Sequence, residues 1–204
     1  MGGFFGAAST NDCVTDVFFG TDYHSHLGTR RGGMTSYSEE LGFQRNIHSI
    51  ENSPFRTKFD SDVDKMRGRL CIGCISDTDP QPILVRSKLG LYAICSVGII
   101  RNSEELVQEL LEKGCSNFEA MSSGAINSGD LIGALIAQKD SFVEGIRYAQ
   151  SRIDGTMSLI ILTKDSIIAA RDNTGKLPIV IGKRSDGFCL STESFAFQKL
   201  GYDI

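Results

Sequence analysis

Apolar and polar positions along this chain fall into blocks whose period changes, and each change marks an element. Residues 2–9, GGFFGAAS, form an apolar run of strand length. Residues 11–23 carry Val14, Val17 and Phe18 at helical spacing, and GGMTSYS reads as a returning strand. The stretch from Glu39 to Lys58 is polar and irregular and predicts only weak strand and loop. DSDVDKMRG predicts a short helix with acids in its first turn. Strands are expected at RLCIGCIS, PILVRSKL and GLYAICSVGII. NSEEL opens a helix over 103–113, a capping residue followed by acids at the positive end, and two more helices follow over 129–138 and 141–152. TMSLIILTKD and SIIAARD read as a hairpin, with further strands at LPIVIGKR and GFCLSTES. Strands bracketing a central helical block predict an α+β fold, its sheets packed face to face with helices outside.

Composition narrows the classes of partner. The 204 residues, 41% hydrophobic and 23% charged, suit one globular domain with a real core. A net charge of -4 gives no basic footprint for nucleic acid or an anionic membrane surface. No apolar run is long enough to span a bilayer, and the first residues lack the basic region and cleavage pattern of a signal peptide, which predicts a cytoplasmic protein. Met1-Gly2 matches the start of a myristoylation signal, but position 6 is Gly where that motif takes Ser or Thr. The chain stops at KLGYDI, soon after a strand and a short helix, and so reads as an excised domain.

Six cysteines, Cys13, Cys71, Cys74, Cys95, Cys115 and Cys189, sit in apolar stretches and read as small core residues of a reducing compartment. CIGC at 71–74 has metal-site spacing, but on a strand positions i and i+3 face opposite ways, and no second pair completes four ligands. His24, His26 and His48 lie in polar, turn-like surroundings without a spaced partner, and RRGG at 30–33 reads as an exposed basic turn. No metal and no cofactor is expected. Two glycines where a first strand should pack side chains, Gly2 and Gly3, imply either a frayed end or a close approach to the backbone.

The C-terminal third carries Gly155, RDNTGKLP (Arg171 to Pro178), IGKR (Ile181 to Arg184) and STES (Ser191 to Ser194) in order. This stretch resembles the class II glutamine amidotransferase domain of the amidophosphoribosyltransferase family, which runs G-A-Y-A, a hairpin, R-D-P-N-G-x-R-P-L, G-K-R and A-S-E-S. With that register the rest aligns. Gly2-Gly3-Phe4-Phe5-Gly6 matches the family's opening C-G-I-x-G. HLGTRRGG (His26 to Gly33) matches H-R-G-Q-[DE]-x-A-G, with Leu27 where the pattern has Arg. IGCISDTDPQP (Ile72 to Pro82) matches I-G-H-x-R-[YW]-x-T followed by Q-P, and CSVGIIRN (Cys95 to Asn102) matches A-H-N-G-N-L-x-N. The resemblance covers nearly the whole chain, with 39–68 anchored poorly.

The resemblance implies the four-layer αββα sandwich of N-terminal-nucleophile hydrolases over residues 1–204, without a phosphoribosyltransferase domain. In such enzymes a first-residue cysteine attacks the amide of glutamine and its own α-amine serves as base, so the strand begins at the nucleophile. Gly2 holds that place here. The arginine that grips the substrate carboxylate falls at Ser76, and the oxyanion asparagine at Val97, although Gly98 keeps the backbone donor. The family's S-D-[ST]-E aligns with 127–130, placing Ser128 at the aspartate that meets the substrate amine and Asp130 at the following glutamate; a shift of one frame would put Asp130 on the substrate instead.

The expected function is therefore an amidotransferase-type domain without glutaminase activity, in a regulatory, ligand-sensing or scaffold role. Its implied partners are a small-molecule ligand, a second copy, and a phosphoribosyltransferase or synthase domain. The alternative is an amidohydrolase with a relocated nucleophile. Cys13 lies on the helix after the first strand, whereas Cys74 and Cys95 fall close to the old substrate positions.

Overall fold

The computed structural model describes residues 2–114, 118 and 124–204, so Cys115 lies outside the described residues. In chain order the elements begin β1 (Gly2–Ser9), α1 (Val14–Asp22), β2 (Arg31–Ser38), β3 (Gly42–Ser49), α2 (Phe55–Val63) and β4 (Leu70–Ser76). The middle holds β5 (Ile83–Ser87), β6 (Gly90–Ile100), α3 (Ser103–Glu112), α4 (Ser128–Ile136) and α5 (Phe142–Arg152). The chain closes with β7 (Gly155–Leu162), β8 (Ile167–Ala170), β9 (Val180–Arg184), β10 (Gly187–Ser191) and α6 (Phe195–Leu200).

Among the described residues the strands form two antiparallel sheets, ordered β3-β2-β4-β1-β10-β9 and β5-β6-β7-β8. Alternation of side chains sorts each strand between layers. On β1, Phe5 and Ala7 join the core under α1 and α6, and Phe4 faces the second sheet. On β4, Cys71 and Ile75 take the helix side, while Ile72 and Cys74 face inward. On β6, Ala93 and Cys95 face inward and Ile94 packs under α3, α4 and α5. Helices thus cover the outer face of each sheet, and a third apolar layer fills the space between them. This is the expected αββα sandwich.

Helix α1 lies close on the first sheet because glycine stands at both contacts. A Cβ at Gly20 would sit 2.5 Å from the Phe5 ring, and one at Gly73 would sit 2.1 Å from Thr21 Oγ1. Two sequence expectations need correction. Residues 42–49 form a full strand paired with β2 from Arg31↔Ser49 to Ser38↔Gly42, hidden in the sequence because every position is half-buried or exposed. The helix expected over 60–68 runs instead over Phe55–Val63, anchored by Phe55 and Phe59, whose rings stack at 4.3 Å one turn apart. Among the described residues no helix is long and apolar enough to cross a membrane.

Strand β6 runs tightly against β7 at its far end. A Cβ at Gly98 would meet the Thr156 carbonyl oxygen at 2.0 Å. Gly98→Ala is expected to cost about 1–3 kcal/mol or more in urea unfolding, because backbone cannot yield as a side chain can. An unchanged midpoint would show that the two strands separate freely there.

Candidate functional site

The inward-facing rows of β1 and β4 end together in small residues, beside β6, which runs on to Ile100. Going outward, Phe4 gives way to Gly2, Cys74 to Ser76, and Cys95 to Val97, with Phe4 paired to Cys74 and Gly2 to Ser76 across the β1–β4 ladder. Phe4, Cys74 and Cys95 are packed into the layer between the sheets. Glycine and serine leave that layer unfilled at its end, and a cavity of about 440 Å³ opens there. Gly2, Ser76, Val97, Gly98 and Ser128 all line it. A Cβ at Gly2 would sit 2.5 Å from the Ile75 carbonyl oxygen, so the β1–β4 ladder leaves no room for a side chain there without a backbone shift.

Three other expected site residues do not reach the cavity. Cys74 and Cys95 lie one inward-facing step deeper than Ser76 and Val97, 2% and 0% exposed. Burial pushes the Cys95 thiol well above its ordinary range, and its neighbour Cys74 adds to the shift. These are core thiols, which corrects the expectation that they border the substrate position. Asp130 sits in the first turn of α4 away from the lining, close enough to Tyr92 to add to the rise of that buried hydroxyl to about 12, which burial dominates.

A short rigid loop forms the wall beside Ser76. The Ser76 hydroxyl accepts the amides of Thr78 and Asp79, each at 3.2 Å. The Asp79 carboxylate accepts the Ser128 amide at 3.2 Å. Asn127 caps α4 by accepting the Gly129 amide at 2.9 Å, and its Nδ2 donates to the Pro80 carbonyl at 2.9 Å. Gln81 then accepts the Ser96 amide at 2.5 Å and donates to the Ser96 carbonyl at 3.1 Å, so that a side-chain amide occupies the edge of β6 as a neighbouring strand would. Sequence reasoning missed Asp79 and Gln81; the turn-forming run Asp79-Pro80-Gln81-Pro82 was the available signal.

The opposite wall comes from the C-terminal third. Asp172 accepts the amides of Thr174 at 2.9 Å and Leu177 at 3.4 Å, which fixes the turn that presents Leu177 and Pro178 to the cavity. Thr192 and Glu193 follow β10, and the Thr192 hydroxyl is buried without a partner among the described residues. Behind them His24 is 1% exposed, its Nδ1 2.7 Å from the Gly20 carbonyl and its Nε2 2.8 Å from the Ser191 hydroxyl. A carbonyl only accepts, so Nδ1 carries the hydrogen, and the single Ser191 hydroxyl hydrogen is shared between Nε2 and the Phe4 carbonyl, 3.1 Å away. With Ser191 0% exposed, this pair is a structural brace and no nucleophile. His26 points outward to Glu193, 3.0 Å away, so the two histidines of HSH face different surroundings.

The charge of the cavity is one-sided. Among the described residues Asp79 and Glu193 are its only charged lining groups, and no lysine, arginine or histidine lines it. Leu27, standing where the resembled pattern has arginine, forms part of the wall. The rest is largely apolar, with Ile99, Ile100, Ile132 and Met157 beside Val97.

The family described as a glutamine amidotransferase domain matches residues 67–199. An amidophosphoribosyltransferase of Methanocaldococcus jannaschii is 27% identical over 98% of this chain and 44% of its own length. One of Synechocystis is 25% identical over 98% of this chain and 42% of its own length, and one of Synechococcus elongatus 32% identical over 92% and 39%. The chain spans less than half the length of these relatives. The solved glutamine phosphoribosylpyrophosphate amidotransferase from B. subtilis, complexed with ADP and GMP, superposes with a TM-score of 0.82 at 22% identity, over 98% of this chain and 44% of that one. A structure described as the allosteric regulatory enzyme of purine biosynthesis gives 0.84 at 22% identity, over 98% and 43%. At that identity the likeness is one of fold.

Two outcomes follow from the burial. Iodoacetamide treatment of native protein with peptide mapping should leave Cys74 and Cys95 unmodified, with both labelled after denaturation; native labelling of either would place it at an accessible site. Burial also holds His24 below its ordinary 6.5. The unfolded chain then takes up a proton that the folded chain refuses, so this contribution is complete above about pH 6.5 and is lost as pH falls below it, by at most about 1.4 kcal/mol per pH unit. Urea midpoints between pH 7.5 and 5 should fall in the native protein and flatten in His24→Gln.

Proposed function

Because the chain belongs to the glutamine amidotransferase domain family, we propose that it keeps that family's sandwich around a cavity that no longer hydrolyses glutamine and serves in a regulatory, ligand-sensing or scaffold role. One observation carries the reading: Gly2, Leu27, Ser76, Val97 and Ser128, five positions at which the sequence departs from the family's pattern, line the same cavity. A glycine has nothing with which to attack an amide. A serine in place of arginine removes a bidentate, permanently charged grip on a carboxylate. A valine in place of an oxyanion donor costs on the order of 10²–10³ in rate by itself. Changes clustered so tightly in space support remodelling of the cavity as a unit.

The burial of Cys74 and Cys95 weighs against the alternative of an amidohydrolase with a relocated cysteine. The role is exercised in the cytoplasm on this reading, supported by five free, buried cysteines among the described residues. A phosphoribosyltransferase or synthase domain, or a second copy of the chain, is the partner proposed for the scaffold role. The support is the length of the relatives, less than half of which this chain covers.

Ammonia release from glutamine tests the central claim. The unaltered protein should release none above the uncatalysed background. Gly2→Cys should stay equally silent, because the new side chain meets the Ile75 carbonyl and neither arginine nor asparagine waits beside it. Release at an enzymatic rate by the unaltered protein would overturn the reading.

A further inference from the structure

We propose that the cavity binds an organic cation, a primary amine on an apolar body that carries no carboxylate, with its ammonium group on Asp79. This rests on the reading that the cavity no longer takes glutamine, and it names the class of ligand that replaces it. Asp79 is 4% exposed, yet its carboxylate has one hydrogen-bond donor among the described residues, the Ser128 amide, and no cationic side chain in an ion pair. A carboxylate removed from water needs a counter-charge or a full set of donors. The start of α4 supplies a partial positive charge, which falls short of a full one. An ammonium group in the adjoining cavity completes the pair.

The rest of the lining fits the body of such a ligand. Val97, Ile132, Met157 and Leu177 offer apolar wall, and the volume of about 440 Å³ lies in the range of small-molecule sites. Thr78, Ser128 and Thr156 add hydroxyl-bearing residues to the same lining. An amino acid is disfavoured, because its carboxylate would enter a space whose only charged lining groups among the described residues are Asp79 and Glu193. A neutral alcohol of the same shape gains the apolar contacts but leaves Asp79 uncompensated. Cation recognition thus follows from the same substitutions that remove carboxylate recognition.

Isothermal titration calorimetry of the whole chain separates these cases, using phenethylamine and 3-methylbutylamine against 3-methylbutanol, 3-methylbutanoate and L-leucine. The amines should bind at least about tenfold more tightly than the alcohol, and the acid and the amino acid should not bind. Asp79→Asn keeps an acceptor for the Ser128 amide and should erase the preference for amine over alcohol, with its thermal melt reporting that it is folded. If that variant does not fold, the ligand series on the unaltered protein decides alone. Equal binding of amine and alcohol, binding of the acid, or no amine binding at millimolar concentration would each overturn the inference. Silence on glutamine together with absent amine binding sinks this inference alone, whereas ammonia release sinks the reading beneath it.

Discussion

Successive side chains on a strand point to opposite faces, and this structure turns on three neighbouring strands that obey that rule. The inner rows of β1, β4 and β6 close the space between the sheets with Phe4, Cys74 and Cys95, and one step further present Gly2, Ser76 and Val97 to the cavity. A step of two residues is the difference between core and cavity wall. The same alternation places Phe5 and Ile75 under α1 and leaves that helix dependent on Gly20 and Gly73 for its close approach. Packing density on both sides of the first sheet is therefore set by a few residues without side chains, and the void at the strand ends is its counterpart.

Much of the fold could be read from the sequence, because its strands are apolar runs with clear punctuation and its outer helices carry amphipathic spacing. β3 escaped notice because it is half-buried throughout and has no apolar row, and α2 because Phe55 and Phe59 were hidden among polar neighbours. At the site, Gly2, Ser76, Val97 and Ser128 were legible through the motif register, since a pattern fixes which position faces inward. Cys74 and Cys95 were misplaced for a simple reason. Sequence distance from Ser76 and Val97 is two residues, but on a strand two residues keep the face while changing the depth. Asp79 was legible only as part of a turn-forming run, because its significance lies in a burial that arises only when its loop meets α4.

The motifs that make the family recognisable and the positions that depart from it divide by physical role. Arg184 of IGKR joins Asp16 at 2.7 Å and Asp186 at 2.6 Å and stacks over Tyr202, tying α1 to the last strands. Asp172 of RDNTGKLP organises its own turn, and Gly98 admits β7. These residues hold the frame. Gly2, Leu27, Ser76, Val97 and Ser128, by contrast, line the cavity and set its charge and shape. A frame stabilised away from its site tolerates such change, since distant contributions are largely independent.

The Gln81 side chain, seated on the edge of β6 as though it were a strand, has a further consequence. It fastens the loop bearing Asp79 to β6 at Ser96, just beyond the end of its pairing with β5, while Asn127 fastens the same loop to a helix. That wall has already surrendered its conformational freedom on folding. Whatever enters the cavity meets a preorganised surface, and the entropy of association is borne by the visitor alone.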